Sequence, residues 1–152
     1  ADTVVSGQGK SKACFATLAE RKTRFYIAMK MSDRRAETME NAIVAALSAF
    51  PPQLVKTITC DRGTEFANWR RIEERLHCEV YFADPYCAWQ KGTNENLNGL
   101  LREFYPKGRN LSRVAPATLK RNLALLNARP RKVLYFHSAQ ELWDFELNSC
   151  CT

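Results

Sequence analysis

The sequence predicts a single α/β domain spanning residues 1–152, in which a mixed sheet, opening with an antiparallel three-strand meander, is flanked by helices. Three observations lead there. Residues 2–31 hold three β-branched or apolar runs separated by turn residues. From Met39 onward the apolar spacing changes to that of a helix. After Pro51-Pro52, short strand-like runs alternate with helical stripes, a pattern that sets helices against a mixed sheet.

The elements follow in order. Asp2-Thr3-Val4-Val5-Ser6 reads as a strand and Gly7-Gln8-Gly9-Lys10 as a turn. Residues 13–19 and 24–31, joined by Glu20-Arg21-Lys22-Thr23, read as a hairpin. Met39, Ile43, Leu47 and Phe50 mark a helix, with Ser32 or Asp33 as its N-cap and the two prolines as its stop. Residues 56–60 form a strand that ends at Asp61. Gly63 permits a sharp turn, and Thr64 caps a helix carrying Phe66, Trp69, Ile72 and Leu76. Residues 78–82 make a further strand, and a loop runs from Ala83 to Gly92. Leu97, Leu100, Leu101 and Phe104 give a buried stripe to a helix over about 93–104. Another helix covers about 116–128, and the tail's Leu134, Tyr135, Phe136, Leu142, Trp143 and Phe145 suggest a closing helix.

Composition narrows the function. Lys and Arg number 23 against 16 Asp and Glu, a net charge of +7, which favours an anionic partner, nucleic acid first. The absence of an apolar run of about 18 residues argues against a membrane helix, and no secretory signal pattern opens the chain. The six cysteines include no Cys-x-x-Cys pair, and only two histidines are present, so a structural zinc site is not expected. Cys14, Cys60 and Cys78 sit in apolar runs and read as buried free thiols, in keeping with a reducing, cytoplasmic compartment.

Two acids stand out by position. Asp61 closes a strand just before a glycine turn, and open α/β sheets bind ligands at the carboxyl ends of strands. Glu95 lies on the helix face opposite the Leu97/Leu101 stripe, with Lys91, Asn98 and Arg102. Taken singly, each has an ordinary explanation: a turn former, and an acid placed for the helix dipole.

Their surroundings change the reading. The segment Thr-Ile-Thr-Cys-Asp-Arg-Gly-Thr-Glu-Phe-Ala over 57–67, and the Gly-Thr-Asn-Glu-Asn block over 92–96, resemble the catalytic core of retroviral integrases and bacterial insertion-sequence transposases. The chain is most similar to transposases of the IS-thirty type, which also have 33 residues between these two acids. Asp2-Thr3-Val4-Val5 resembles the strand bearing that family's first aspartate, and Asn127 to Lys132 its Asn-x-Arg-Pro-Arg-Lys segment. The resemblance covers nearly the whole chain. Arg62 departs from the Asn that many relatives carry, and nothing here matches the family's N-terminal helix-turn-helix region.

The resemblance implies a ribonuclease-H-like fold with a mixed five-stranded sheet. It also implies a Mg-dependent polynucleotidyl transferase of the DDE type that cleaves DNA at transposon ends and transfers the strand to target DNA. Asp2, Asp61 and Glu95 would be both catalytic residues and metal ligands, holding two Mg²⁺ per site with Mn²⁺ as a substitute. No cofactor-binding residue is expected. DNA contacts are expected from Lys91, Asn98, Arg102, Arg62, Lys10, Lys12, Arg129 and Arg131. The expected partners are inverted-repeat ends, target DNA and further copies of the chain, as a dimer or larger, in the bacterial cytoplasm beside the nucleoid. Two alternatives stay open: a catalytically silent DNA-binding or assembly module of the same fold, and a ribonuclease-H-like nuclease. Glu65 reads by default as a solvated helix acid, otherwise as an outer-sphere helper, Asp84 as a turn former, and Asn94 as a helix cap. Tyr86 and Trp89 read as loop anchors or as a stacking surface for an unpaired base.

Overall fold

The computed structural model describes residues 1–84 and 92–150. Lys91, Tyr86 and Trp89 therefore lie outside the described residues, as do Cys87 and Cys151.

Strands β1 (Asp2–Val5), β2 (Cys14–Ala19) and β3 (Tyr26–Met31) form the expected antiparallel meander. Its register pairs Asp2 with Thr17 and Cys14 with Met31. Strands β4 (Thr57–Cys60) and β5 (Glu79–Phe82) pair in parallel. The two ladders meet where the Ala1 ammonium donates to the Thr59 carbonyl, which sets β4 beside β1. The five expected strands are all present, as a triplet and a pair joined at that point rather than as one unbroken ladder.

Five α-helices accompany them among the described residues: α1 (Ala36–Leu47), α2 (Trp69–Leu76), α3 (Gly92–Phe104), α4 (Pro116–Ala128) and α5 (Ala139–Cys150). The meander is buried on both faces because its side chains alternate between two apolar clusters. Cys14, Ala16 and Leu18 of β2 meet Met39, Ile43 and Ile72 of α1 and α2. Phe15, with Val4, Tyr26 and Ala28, meets Leu97 and Leu101 of α3 and Leu119 and Leu126 of α4. Asn127 locks α4 to β3: it accepts from the Tyr26 amide and donates to the Tyr26 carbonyl.

Local chemistry moved some boundaries. Neither Ser32 nor Asp33 is the N-cap: α1 begins at Ala36 with Arg35 in the cap position and no side-chain cap, while Asp33 accepts from the Arg35 amide and the Thr38 hydroxyl just ahead of it. Thr64 opens a single 3₁₀ turn over Thr64–Phe66 instead of a helix, and α2 starts at Trp69. Asn94 is no cap; it lies buried inside α3. The closing helix forms, and Trp143 stacks on Phe25 with ring centroids 5.2 Å apart. Tyr135 and Phe136, however, do not join the packing: they are 89% and 72% exposed. Cys14, Cys60 and Cys78 are buried free thiols as expected. Burial pushes the Cys14 thiol up to about 11, so it stays protonated.

Candidate active site

Asp2 owes its direction to the pleat of β1. Residues two apart share a face, so Asp2 points with buried Val4 toward α3, while Thr3 points the other way. On the α3 side, Asn98 Nδ2 donates to Asp2 Oδ2 at 2.9 Å. The amide is itself oriented, because the Tyr26 hydroxyl donates to Asn98 Oδ1 at 2.6 Å. Burial pushes the Tyr26 phenol well above its ordinary range, which keeps it a proton donor. The other Asp2 oxygen accepts from the Thr3 amide.

Asp61 stands just past the end of β4, where its Oδ1 accepts from the Gly63 amide at 3.0 Å. This short side-chain turn needs a small residue at 63. A Cβ there would collide with Glu65 Oε2 and lie 2.9 Å from Asp61 Oδ1. Asp61 and Glu65 thus flank one glycine.

Glu65 is not the solvated acid that its place after a turn suggests; it is 4% exposed. Arg34 Nη2 donates to Glu65 Oε1 at 2.5 Å, and the Thr3 hydroxyl donates to the same oxygen at 3.0 Å. Burial alone would raise this carboxyl, but the Arg34 and Thr3 contacts outweigh it and hold it below the usual range. The Thr3–Glu65 bond clamps β1 to the turn that carries Asp61.

Glu95 lies in the first turn of α3, exposed, three residues before Asn98 and therefore on the same helical face. The structure brings Asp2 and Asp61 to adjoining strands and sets the Glu95 turn next to the Asn98–Asp2 contact. It does not draw the three into a ready-made cage: among the described residues, no group of three or more His, Cys, Asp or Glu side chains is arranged to hold a metal ion. Neighbouring carboxylates repel one another, and Asp2 accepts a neutral amide hydrogen from α3 instead. As donors the three still suit a hard divalent cation, being all oxygen and not fully buried.

The expected DNA contacts divide. Lys10, Lys12 and Arg62 are exposed. Arg129 pairs with Glu103 at 3.2 Å. Arg102 and Arg131 are drawn inward: Arg102 donates to the Val5 and Tyr105 carbonyls, and Arg131 to the Leu126 and Arg24 carbonyls. Burial lowers both guanidiniums from their ordinary value. Asn98 is committed to Asp2 and Tyr26. The sequence reading did not anticipate Tyr26, Thr3 and Arg34 as supports of the site. Their partners lie 31 to 72 positions away, and no local pattern announces them.

An antiparallel three-strand meander set beside a parallel pair and flanked by helices is the ribonuclease-H-like class of fold. Solved structures agree. The catalytic core domain of BIV integrase superposes with a TM-score of 0.72 at 15% identity, over 99% of this chain and 95% of that one. The HTLV-2 integrase catalytic core domain in complex with magnesium gives 0.66 at 15% identity, over 92% and 90%.

The chain belongs to the integrase core domain family, whose model matches residues 1–88. It is 36% identical over 143 residues to a probable transposase for insertion-like sequence element IS1161 of Streptococcus salivarius, covering 94% of this chain and 40% of that protein. It is 36% identical over 134 residues to the transposase InsI for insertion sequence element IS30C of Escherichia coli strain K12, covering 88% and 35%. The chain thus spans about two fifths of the length of these relatives.

Proposed function

We propose that the chain is the catalytic core of a DDE transposase, a polynucleotidyl transferase that cuts DNA at transposon ends and joins the freed strand to target DNA. The observation that carries the reading is the Asn98–Asp2 hydrogen bond, which docks the helix bearing Glu95 against β1, the strand that lies beside the one leading to Asp61. Asp2, Asp61 and Glu95 would hold Mg²⁺, two ions per site, with Mn²⁺ able to substitute. Two such ions supply an activated oxygen nucleophile and a stabilised leaving alkoxide.

The chain's own residues do the rest. Asn98, held by Tyr26, steers Asp2, and the Thr3–Glu65–Arg34 contacts fix β1 against the Asp61 turn. Exposed Lys10, Lys12 and Arg62 meet phosphates. No serine, tyrosine or cysteine nucleophile is needed. The DNA partners are transposon ends and target, handled by a dimer or larger assembly in the bacterial cytoplasm, beside the nucleoid. Among the described residues, no helix is long and apolar enough to cross a membrane.

The test pairs labelled transposon-end DNA with Mg²⁺ or Mn²⁺ and compares the chain with Asp61→Asn and Glu95→Gln. The expected outcome is metal-dependent nicking or joining that both variants reduce to background. Binding without cleavage by the unaltered chain would return the silent-module alternative, and preferential cutting of RNA in hybrids would return the nuclease.

A further inference from the structure

The segment after α4 is built in a way that packing does not explain. Tyr135 and Phe136 have φ of +52° and +66°, a left-handed conformation that bulky residues rarely adopt, and here two such residues are adjacent. Both side chains face solvent, at 89% and 72% exposure, so no core contact compensates for the backbone strain.

A closed set of backbone bonds holds the pair in place. The Leu134 and Phe136 amides donate to the Arg131 carbonyl, the Tyr135 amide to that of Lys132, and the Arg131 amide to that of His137. Pro130 and Ser138 bridge the base of the loop. Buried Leu134 and the inward-turned Arg131 root it in the domain. The result is a stiff platform displaying two aromatic rings.

The platform has a cationic surround. Lys132 and Arg129 are exposed on either side of Arg131. Burial, and then the neighbouring Arg129 and Arg24 charges, lower the Arg131 guanidinium. Two acids are tied up here: Glu103 pairs with Arg129, and Glu141, 4.0 Å from His137, accepts from the Ser138 amide and hydroxyl. Protein–protein interface cores are enriched in aromatics and Arg but depleted of Lys, and exposed Lys132 stands in this loop. Rings presented among cations suit a strand with negative phosphates and exposed base faces.

We propose that Tyr135 and Phe136 form a stacking site for unpaired nucleobases of single-stranded DNA, with Lys132 and Arg129 meeting the flanking phosphates. This does not rest on catalysis by the carboxylates. The test therefore uses EDTA-containing buffer and reads binding alone, so that loss of cleavage and loss of this site are separate results.

Fluorescence anisotropy is measured on a labelled single-stranded oligonucleotide and on a blunt duplex of equal length. A Tyr135→Ser/Phe136→Ser double variant should lose roughly tenfold or more in single-strand affinity while duplex affinity stays nearly unchanged. Lys132→Ala should weaken both ligands together. Tyr135→Gly keeps the left-handed backbone accessible while deleting one ring. It should match the unaltered chain in circular dichroism and thermal midpoint and still lose part of the single-strand affinity. Unchanged single-strand binding in the double variant would overturn the proposal. So would a dimer, seen by sedimentation in the unaltered chain and abolished in the double variant, because the rings would then be an interface between copies.

Discussion

At the residue scale, Glu65 shows how a buried charge can organise a site without belonging to it. Its carboxylate takes hydrogen bonds from Arg34 and Thr3 and sits against Gly63, so three separate stretches of chain depend on one ionised group. Removing its charge should be costly, since the Arg34 guanidinium would face a neutral amide oxygen in place of its ion-pair partner. Glu65→Gln is expected to lower unfolding stability by about 1–3 kcal/mol near neutral pH, measured by urea titration. The pH dependence has a definite sign. The folded carboxyl lies below its ordinary value of 4.5, so its contribution is full above about pH 4.5 and is lost as pH falls through the folded value. The unaltered chain should therefore lose stability more steeply than the variant on acidification below about pH 4.5. The sequence suggested a solvated acid here because Thr3 and Arg34 are 62 and 31 positions away. Asp61 was legible, because a strand end and a glycine turn sit beside it in the sequence.

At the element scale, α3 is pinned to β1 at two levels. Asn98 reaches Asp2 near the start of the strand. Beyond its end, the Gly7 amide donates to the Arg109 carbonyl, and the Leu111 amide donates to the Ser6 hydroxyl. The second contact is so close that a Cβ on Gly7 would collide with the Gly108 carbonyl, which is backbone and cannot swing aside. Gly7→Ala is expected to cost about 1–3 kcal/mol of stability, as overpacking does. It should also lower any cleavage activity, because the register of the Glu95 helix over Asp2 shifts. A thermal melt beside the transposon-end assay checks both. Helices with strong local signals were readable: α4 runs from Pro116 to Ala128, as the spacing of Leu119, Leu123 and Leu126 indicates. The segment after Gly63 was not, because a 3₁₀ turn and a helix share the same leading residues.

At the scale of the whole molecule, the excess of seven positive charges predicts binding to duplex DNA that weakens steeply with salt. Each phosphate contact adds about 0.9 to the slope of log affinity against log salt. Replacing Lys10, Lys12 and Arg62 with Gln should therefore flatten that slope by about 0.9 per contact removed, read by anisotropy over a salt series. Arg102→Gln should behave differently, showing up mainly as reduced stability, because its guanidinium is spent on the Val5 and Tyr105 carbonyls.

The two-sided burial of the meander also fixes an order of events during synthesis. The cluster under α1 and α2 draws only on residues before 84, so it can close as soon as β5 has emerged. The opposite side of the same three strands, with Val4, Phe15, Tyr26 and Ala28, gains no cover until Leu97 and its successors arrive. A nascent chain paused between those points carries a finished half-domain with a bare, greasy back, the stage at which it is most prone to stick to its neighbours.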